Sequence, residues 1–380
     1  MQPFERVQAA FEHRPSDKVP IYQAGFSSYA GSIVLGREAY VGGGIQQYRE
    51  ARALWEGPDS HTEYLQRSRE DAFEIADVLD LDLIRPMYWR MNEKPTRRID
   101  ENTFFYGSEN GSWRVMQFNP KTELYQVADR SPMPEPTLDD LERSVAASEA
   151  REDTYAPTPD AWPDLVAAVE RFGGKRAIPG FGVGLCIPRE PIWLEATILR
   201  PDLVARYLDQ SIRNHPKTIA VMKQIGLTYL CGGGDFAGPL GPIYSPRVFH
   251  DLMAPRLQVI SEMCHSQGCY HGFASDGNLW PIADDLFGTS GVDFFYELDR
   301  QAGMDLVRVR QTFPHLTLWG GINSATLHRG SVEEVRVETL TALEAAQAHT
   351  SIVVGCSNQI VVGTPPENIE VMLNTLREHR

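Results

Sequence analysis

The chain has 380 residues, of which 42% are hydrophobic and 23% charged, a composition typical of a folded globular protein that excludes intrinsic disorder. Its 36 Lys and Arg residues against 51 Asp and Glu residues give a formal charge of −15, which repels nucleic-acid phosphates and anionic lipids. No apolar run approaches the ~20 residues of a membrane span, and the N-terminus lacks an apolar signal core. We therefore expect a cytoplasmic protein with no nucleic-acid or membrane partner.

Short apolar runs rich in β-branched and aromatic residues alternate with longer amphipathic stretches, which is typical of parallel strands linked by helices. A short amphipathic helix is predicted first, over residues 4–13. The predicted strands follow at residues 19–25, 81–86, 176–183, 227–235, 269–277, 292–298, 316–323 and 351–359. Because eight β/α units close a barrel, we predict an α/β fold: one (β/α)8 TIM-barrel domain over residues 1–380.

Three of the connecting helices have recognisable start signals. Ser245-Pro246 and Thr364-Pro365 each place a hydroxyl residue before a proline, and Ser331 with Glu334 forms a capping-box pattern. These signals predict helices that begin at these positions.

Residues 87–160, between predicted strands two and three, interrupt the alternation. They contain three alternating runs at 103–106, 112–118 and 123–128, a hairpin turn at Asn110-Gly111, and then an acidic loop that extends to Trp162. Strand-to-helix loops of a barrel lie at its C-terminal face. We therefore predict that 87–160 is an insertion that forms a rim or lid beside the pocket.

The C-terminal ends of barrel strands direct side chains into the pocket, and here three of them are acidic. Asp235, Asp276 and Glu297 end predicted strands four, five and six, and are the candidate catalytic residues. Asp276 precedes Gly277-Asn278, so it could instead form an Asx turn or cap a helix. Glu297 follows an aromatic run, so its carboxylate either pairs with Arg85 or a backbone donor, or has a raised pKa suited to proton transfer.

Seven other side chains near the strand ends are candidate substrate contacts: Phe26, Arg85, Tyr244, His271, Trp319, Asn323 and Cys356. His271 alternates with other strand residues and is equally compatible with a place in the core. Cys356 could be a packing residue, or could join the three carboxylates around a divalent metal. The five cysteines include no CxxC pair, which argues against a disulfide framework or a zinc ribbon.

Several segments occur together in the order found in one known family. They are the opening stretch from Glu5-Arg6-Val7 to Val19-Pro20, GGGDFAGPLGPIYSPRVFHDLMAPRL at 232–257, SDGN at 275–278, GVDFFYELDRQAGMDL at 291–306, LWGGIN at 318–323 and TPPENIEVML at 364–373. With these motifs the chain resembles the uroporphyrinogen decarboxylase superfamily, which includes the decarboxylase and the corrinoid- and thiol-linked methyltransferases. The resemblance implies a TIM barrel and a homodimer.

The resemblance also has informative departures. The decarboxylase carries a stretch similar to RQAGR after strand one, whose arginines grip the substrate's carboxylates, whereas this chain has Tyr22 to Phe26 (YQAGF) there. Thiol-activating relatives bind zinc through a His-x-Cys pair after strand five and a cysteine after strand eight. Ala274 and Asp276 occupy the first two places, and only Cys356 remains. A porphyrin substrate is therefore rejected, and zinc is doubtful.

The remaining motifs resemble members of the superfamily associated with demethylation of small methoxylated compounds. The leading prediction is a methyltransferase that moves a methyl group from a small O- or N-methylated substrate to a corrinoid-protein acceptor, with the carboxyl groups protonating the leaving heteroatom. An alternative is a lyase, a cofactor-independent decarboxylase of an aromatic or heteroaromatic acid whose carboxylate Arg85 orients. A third is a barrel that binds a ligand without turnover.

Overall fold

The computed structural model describes all residues, 1–380, as alternating helices and strands. The α-helices are α1 (Pro3–Phe11), α2 (Ser28–Leu35), α3 (Gly44–Glu56), α4 (Pro58–Val78), α5 (Leu138–Ala150), α6 (Pro163–Phe172), α7 (Pro191–Leu199), α8 (Pro201–Ile212), α9 (His215–Ile225), α10 (Pro246–Val248), α11 (Ala254–Ser266), α12 (Leu306–Thr312), α13 (Ser324–Arg329), α14 (Val332–Ala348) and α15 (Pro366–His379). No helix combines the length and apolar composition needed to cross a bilayer.

The strands are β1 (Gly25–Phe26), β2 (Arg97–Arg98), β3 (Thr103–Gly107), β4 (Trp113–Asn119), β5 (Leu124–Arg130), β6 (Pro179–Phe181), β7 (Tyr229–Cys231), β8 (Ala237–Gly238), β9 (Gly241–Pro242), β10 (Tyr270–Ala274), β11 (Phe294–Tyr296), β12 (Thr317–Ile322), β13 (Ile352–Cys356) and β14 (Gln359–Ile360). Six of them form one parallel sheet in the order β13-β12-β11-β10-β7-β6. This sheet, with helices between its strands, confirms the predicted α/β class.

The first two predicted strands are less regular than the other six. Residues 19–25 contribute a single bridge, between Ile21 and Val354 of β13, and residues 81–86 another, between Leu83 and Ala177. The amide of Asp82 also donates to the carbonyl of Ile21 at 3.0 Å. These backbone contacts connect residues 19–25 and 81–86 to the two edges of the six-stranded sheet.

The interval after residue 86 contains a separate four-stranded antiparallel sheet in the order β2-β3-β4-β5. The turn at Asn110-Gly111 joins β3 to β4, and aromatic side chains of this sheet pack on α3, where the rings of Tyr48 and Phe118 stack at 4.2 Å. The predicted acidic loop up to Trp162 is wrong in part, because residues 138–150 form α5. Thr137 and Asp140 cap this helix, and Leu141 and Val145 bury its one apolar stripe.

Helix α1 closes one end of the space inside the sheet. Phe11 packs against Tyr229, Tyr270 and Phe294, with ring centroids 4.6 to 5.3 Å apart.

Among the predicted start signals, the side chains of Ser245 and Ser331 cap their helices. Thr364 does not cap α15, because its hydroxyl donates to the carbonyl of Val361 and Pro365 occupies the cap position.

Candidate active site

Asp235, Asp276 and Glu297 lie together beyond the C-terminal ends of three neighbouring strands. They follow β7, β10 and β11, which are adjacent in the parallel sheet. One carboxylate oxygen from each lies within 4.8 Å of the others, and all three side chains are half-buried. Three acidic groups at this spacing repel one another when ionised, so the group favours holding a proton or a cation.

The loop after β10 brings Asp276 to Asp235. Gly277 has a φ of +90°, and a Cβ at this position would lie 2.6 Å from the backbone of Ala237 and Gly238. Only glycine tolerates both conditions, so the turn can press against the hairpin β8–β9. As a result, the amide of Asp276 lies 3.5 Å from Oδ1 of Asp235.

Glu297 has an unusual backbone conformation. Its φ is +69°, in the left-handed region that non-glycine residues seldom adopt. Such a conformation costs on the order of 1 to 3 kcal/mol and is found most often where a side chain must be held for function. Here it accompanies the turn of the chain directly after β11, beside the other two carboxylates.

Burial and mutual repulsion change the proton affinity of this group. Burial, with the nearby charges of Asp276 and Asp235, raises the pKa of Glu297 to about 7, although Arg85 acts in the opposite direction. Burial also raises the pKa of Asp276, assisted by Asp235 and Asp299. Glu297 is therefore close to half-protonated at neutral pH, which is the state required of a general acid or base.

Two polar side chains that the sequence analysis did not select contact the acidic group. Nδ2 of Asn358 donates to both carboxylate oxygens of Asp276 at 3.2 Å. Arg189, which is exposed, forms an ion pair with Asp235. Asn358 lies two residues after Cys356, so the alternation of strand residues was the signal that could have found it. Arg189 follows β6 in a loop with no such pattern.

Arg85 is half-buried and has no carboxylate within 4.0 Å. Its Nε donates to the carbonyl of Met87 at 3.2 Å, and its Nη1 donates to the carbonyl of Ala24. Its guanidinium carbon lies 5.0 Å from the centre of the Tyr88 ring. The predicted ion pair between Arg85 and Glu297 is therefore not formed.

A layer of aromatic and polar side chains fills the interior below the carboxylates. Tyr22, Cys231 and Trp319 belong to one buried cluster, and Tyr296 packs against it. The hydroxyl of Tyr296 donates to the carbonyl of Gly232 at 2.6 Å, whereas the Tyr22 hydroxyl and the Trp319 indole nitrogen have no hydrogen-bond partner. This layer includes one predicted residue, Trp319, and three that the sequence analysis did not select.

The other five candidate substrate contacts occupy different environments. His271 is fully buried, its Nδ1 lies 2.7 Å from the Ser261 hydroxyl of α11, and burial lowers its pKa to about 3, so it is neutral. Phe26, Tyr244 and Cys356 are buried in the main core cluster. Asn323 caps α13 by accepting a hydrogen bond from the amide of Ala325. None of these five side chains forms a hydrogen bond or ion pair with Asp235, Asp276 or Glu297, whose polar contacts are with Arg189, Asn358 and the Asp276 amide.

The C-terminal part of the chain matches a known protein family. Residues 239–379 match the family model described as Uroporphyrinogen decarboxylase (URO-D). This match confirms the predicted resemblance to the uroporphyrinogen decarboxylase superfamily over residues 239–379. The matched segment contains Asp276 and Glu297, while Asp235 precedes it. No curated protein sequence is significantly similar to this chain.

Similarity to solved structures extends beyond the segment that the family model matches. A methyltransferase from Methanosarcina mazei superposes with a TM-score of 0.62 at 18% identity, covering 100% of this chain and 99% of its own. An E. coli 3-keto-D-glucoside 4-epimerase in apo form scores 0.39 at 11% identity (66% of this chain, 97% of that one), and a putative vitamin-B12 independent methionine synthase from Listeria monocytogenes scores 0.38 at 14% (95% and 98%). The first of these similarities shows a shared fold.

The zinc site of the superfamily's thiol-activating members does not fit this chain. Ala274 has no ligand atom, and Cys356 lies in the main core cluster, where burial raises the pKa of its thiol to about 12. The only ligands that the pocket provides are the three carboxylates, a set that prefers hard divalent cations to zinc.

Proposed function

We propose that this protein is an enzyme, a (β/α)8 barrel that transfers a methyl group from a small O- or N-methylated substrate to a corrinoid-type acceptor on a partner protein. The single observation that carries the proposal is Glu297, a half-buried carboxyl group beside two other carboxylates, whose pKa of about 7 makes it a proton donor at neutral pH. The family match over residues 239–379 and the fold shared with a methyltransferase support the reaction class.

The closed barrel is part of the proposal. The amide of Tyr22 donates to the carbonyl of Val354 at 3.0 Å, and the amide of Ala177 donates to the carbonyl of Asp82 at 2.8 Å. Together with the bridges at Ile21 and Leu83, these bonds support a ring in which residues 19–25 and 81–86 complete the six-stranded sheet. In such a ring the three acidic residues face the central pocket from the C-terminal ends of their strands.

In the proposed reaction, methyl transfer depends on protonation of the leaving atom. Glu297 gives its proton to the ether oxygen or amine nitrogen while the bond from that atom to the methyl carbon breaks. The bonding electron pair stays on the heteroatom, and the electron pair of the reduced acceptor forms the new bond to carbon. Burial and the negative charges of Asp276 and Asp235 raise the pKa of Glu297 and so favour its protonated form, and a proton from solvent restores that form after each turnover.

Access for an acceptor of this size requires an open surface at the mouth. The antiparallel sheet β2–β5 and helix α5 lie within residues 87–160, and Glu123 of this region accepts hydrogen bonds from the amides of Ser28 and Tyr29 at 2.7 and 2.8 Å. These bonds attach the sheet to the start of α2, directly after β1. We therefore propose residues 87–160 as the rim on which the acceptor protein docks.

The experiment incubates the purified protein with methoxylated and N-methylated compounds, with and without reduced cobalamin, and follows methylcobalamin absorbance and carbon dioxide. The proposal predicts methylcobalamin without carbon dioxide. Glu297→Gln should lower the rate at least ~10²-fold because the proton donor is lost. The matched control is Glu262→Gln, an exposed position on α11, which should leave the rate unchanged. A Glu297→Gln variant as fast as the wild type would contradict the role of Glu297.

One observation favours a second candidate function. Arg85 has no acidic partner, so it could hold the carboxylate of an acid that undergoes decarboxylation. The carbon–carbon bond would break, its electron pair would stay on the ring carbon, and Glu297 would protonate that carbon. Carbon dioxide formed without cobalamin would favour this reaction over methyl transfer. If neither methylcobalamin nor carbon dioxide forms, a barrel that binds its ligand without turnover is favoured.

A further inference from the structure

We infer that Asp299 is a positioning residue of this site, because its carboxylate ties the loop after β11, which carries Glu297, to the loop after β10, which carries Asp276. The inference rests on the proposed function, since it assigns the residue that fixes the surroundings of the proposed proton donor. Asp299 acts through these two loops, and we assign it no contact with the substrate.

The two oxygens of the Asp299 carboxylate accept hydrogen bonds from different loops. Oδ1 accepts from the amide of Ala302 at 3.2 Å and so caps the short helical turn Arg300–Ala302. Oδ2 accepts from the amide of Gly277 at 3.2 Å, directly after Asp276 in the chain. The half-buried carboxylate therefore connects the two loops through backbone amides, which fix position more closely than flexible side chains do.

Two further hydrogen bonds join the same segments. The amide of Leu279 donates to the sulfur of Met304 at 3.4 Å, and Nε1 of Trp280 donates to the carbonyl of Gly303 at 2.8 Å. Residues 299–304 therefore hold residues 277–280 along their length. Both segments lie in motifs by which the sequence was compared with a family, and the proposed reaction gave no role to the second half of either.

The loop that carries Asp276 has other attachments, but they lead to different parts of the barrel. The Ser275 hydroxyl accepts a hydrogen bond from the amide of Phe236 at 2.9 Å, and Asn358 donates to the Asp276 carboxylate at 3.2 Å. These bonds attach the loop to the segments after β7 and β13. Residues 299–304 attach it to the segment after β11, and so fix Asp276 relative to the proposed proton donor.

The same bonds stabilise an unfavourable backbone conformation. The φ of Glu297 is +69°, and such a conformation persists only where the surrounding structure fixes it. On one side of Glu297, the Tyr296 hydroxyl donates to the carbonyl of Gly232 at 2.6 Å. On the other side, the Asp299 carboxylate accepts its two amide bonds. Glu297 is therefore held from both directions along the chain.

The position of Asp276 affects the proton affinity of Glu297. The pKa of Glu297 is raised by burial and by the charges of Asp276 and Asp235, and is lowered by Arg85; the charge of Asp299 is not among these causes. If the loop moved, Asp276 would recede and water would enter, and both changes lower the pKa of Glu297. Loss of the Asp299 bond should therefore act on Glu297 through the position of Asp276.

The test combines two measurements on Asp299→Asn without substrate or cobalamin: amide hydrogen exchange at Gly277 and a carboxyl-carbon NMR titration of Glu297. Asparagine keeps the shape of the side chain but has one acceptor oxygen where aspartate has two, so it cannot satisfy both amides in the present geometry. Exchange at Gly277 should become about tenfold faster. The titration midpoint of Glu297 should fall by about one pH unit.

The pH dependence of the reaction separates positioning from a general loss of structure. Glu297 must be protonated to act as a donor, so a midpoint lower by one pH unit should reduce the rate about tenfold at pH 8 and leave it nearly unchanged at pH 5. A general loss of structure would instead reduce the rate at both pH values.

Asp305→Asn is the matched control. Asp305 is exposed and caps α12 by accepting a hydrogen bond from the amide of Arg308 at 2.9 Å, so the variant removes a carboxylate from a cap that joins no other loop. It should change neither measurement. Thermal unfolding checks that each variant is folded. Asp299→Ser replaces Asp299→Asn if the latter does not fold, because serine also caps a helical turn but is too short to reach Gly277.

The inference is overturned if exchange at Gly277 stays as slow as in the wild type, if the midpoint of Glu297 does not move, or if Asp305→Asn moves it equally. The shift is measured against the wild type, so these outcomes do not depend on the wild-type value. A wild-type midpoint below pH 5 would contradict the proposed function. A wild-type midpoint near pH 7 that stays in place in Asp299→Asn would contradict the role of Asp299 alone.

Discussion

Acidic side chains that are wholly or partly buried lie at both ends of the six-stranded sheet, but only one end supplies arginines that bind them. At the end closed by α1, Asp82 is fully buried and accepts hydrogen bonds from Arg6 at 3.0 Å, from Arg380 at 2.7 Å and from the amide of Ile21 at 2.9 Å. At the opposite end, Glu297 has two acidic neighbours and no cation in contact.

The two ends therefore differ in whether cationic side chains of the protein bind the carboxylate. Burial raises the pKa of Asp82, but two arginines and a backbone donor oppose this effect and connect residues 81–86 to both termini of the chain. Glu297 is left to accept or release a proton because nothing in the protein neutralises it. The predictions below test this contrast, beginning with the largest expected effect.

Asp82→Ala should destabilise the protein the most. The substitution leaves Arg6 and Arg380 without their buried partner, and breaking such a group costs about 3 to 5 kcal/mol. Denaturant unfolding measures the effect. Asp251→Ala is the control, because Asp251 pairs with Arg247 at the surface and its loss should cost less than about 1 kcal/mol. Equal effects from the two variants would contradict the structural role of Asp82.

Glu297→Gln should instead stabilise the folded protein above neutral pH. The unfolded chain ionises this residue near its ordinary pKa of 4.5, whereas the folded protein ionises it at about 7. Between these values the unfolded state binds fewer protons, so the wild-type free energy of unfolding falls as pH rises. Glutamine removes this fall, and the variant should gain about 3 kcal/mol over the wild type above pH 7 but little at pH 4.5. A variant less stable at pH 8 would contradict this account.

Asn358→Leu should have an intermediate effect. It removes both hydrogen bonds to the Asp276 carboxylate, which stabilise the ionised form, and should cost about 1 kcal/mol of stability. The pKa of Asp276 should rise further, which moves the high-pH decline of the reaction rate upward. Asn374→Leu is the control, because it removes an amide side chain at an exposed position on α15. An unchanged dependence of the reaction rate on pH would show that Asn358 does not influence the acidic group.

Arg189→Met should have the smallest effect on stability. Arg189 pairs with Asp235 at the surface, and exposed ion pairs contribute less than about 1 kcal/mol. Raising the salt concentration should weaken the wild-type pair by a similar amount, whereas the pair of Arg6 with buried Asp82 should respond little. A large loss of stability in Arg189→Met would show that the mouth, like the other end, is held by ion pairs.

Much of the fold was predictable because it depends on local patterns. Six predicted strands contain the observed strands of the parallel sheet, and the hairpin at Asn110-Gly111 follows from its turn residues. Helix α5 was missed because its apolar stripe is narrow and its surface is acidic. The capping signal at Thr137 and Asp140 was present and would have identified it.

The acidic group was predictable for a different reason. The carboxyl ends of neighbouring parallel strands lie side by side, so Asp235, Asp276 and Glu297 were expected to share a region once their strands were identified. The partners of these residues were not predictable. Arg189 comes from a loop with no periodic pattern, and whether Arg85 pairs with Glu297 depends on distances that only the three-dimensional structure supplies.

The most direct test is a carboxyl-carbon NMR titration of the protein labelled at glutamate, compared with Glu297→Gln. The account predicts one glutamate carboxyl signal that titrates near pH 7 in the wild type and is missing from the variant. If every glutamate signal of the wild type instead titrates below pH 5, Glu297 is an ordinary ionised residue, and the proton donor on which the proposed chemistry depends does not exist.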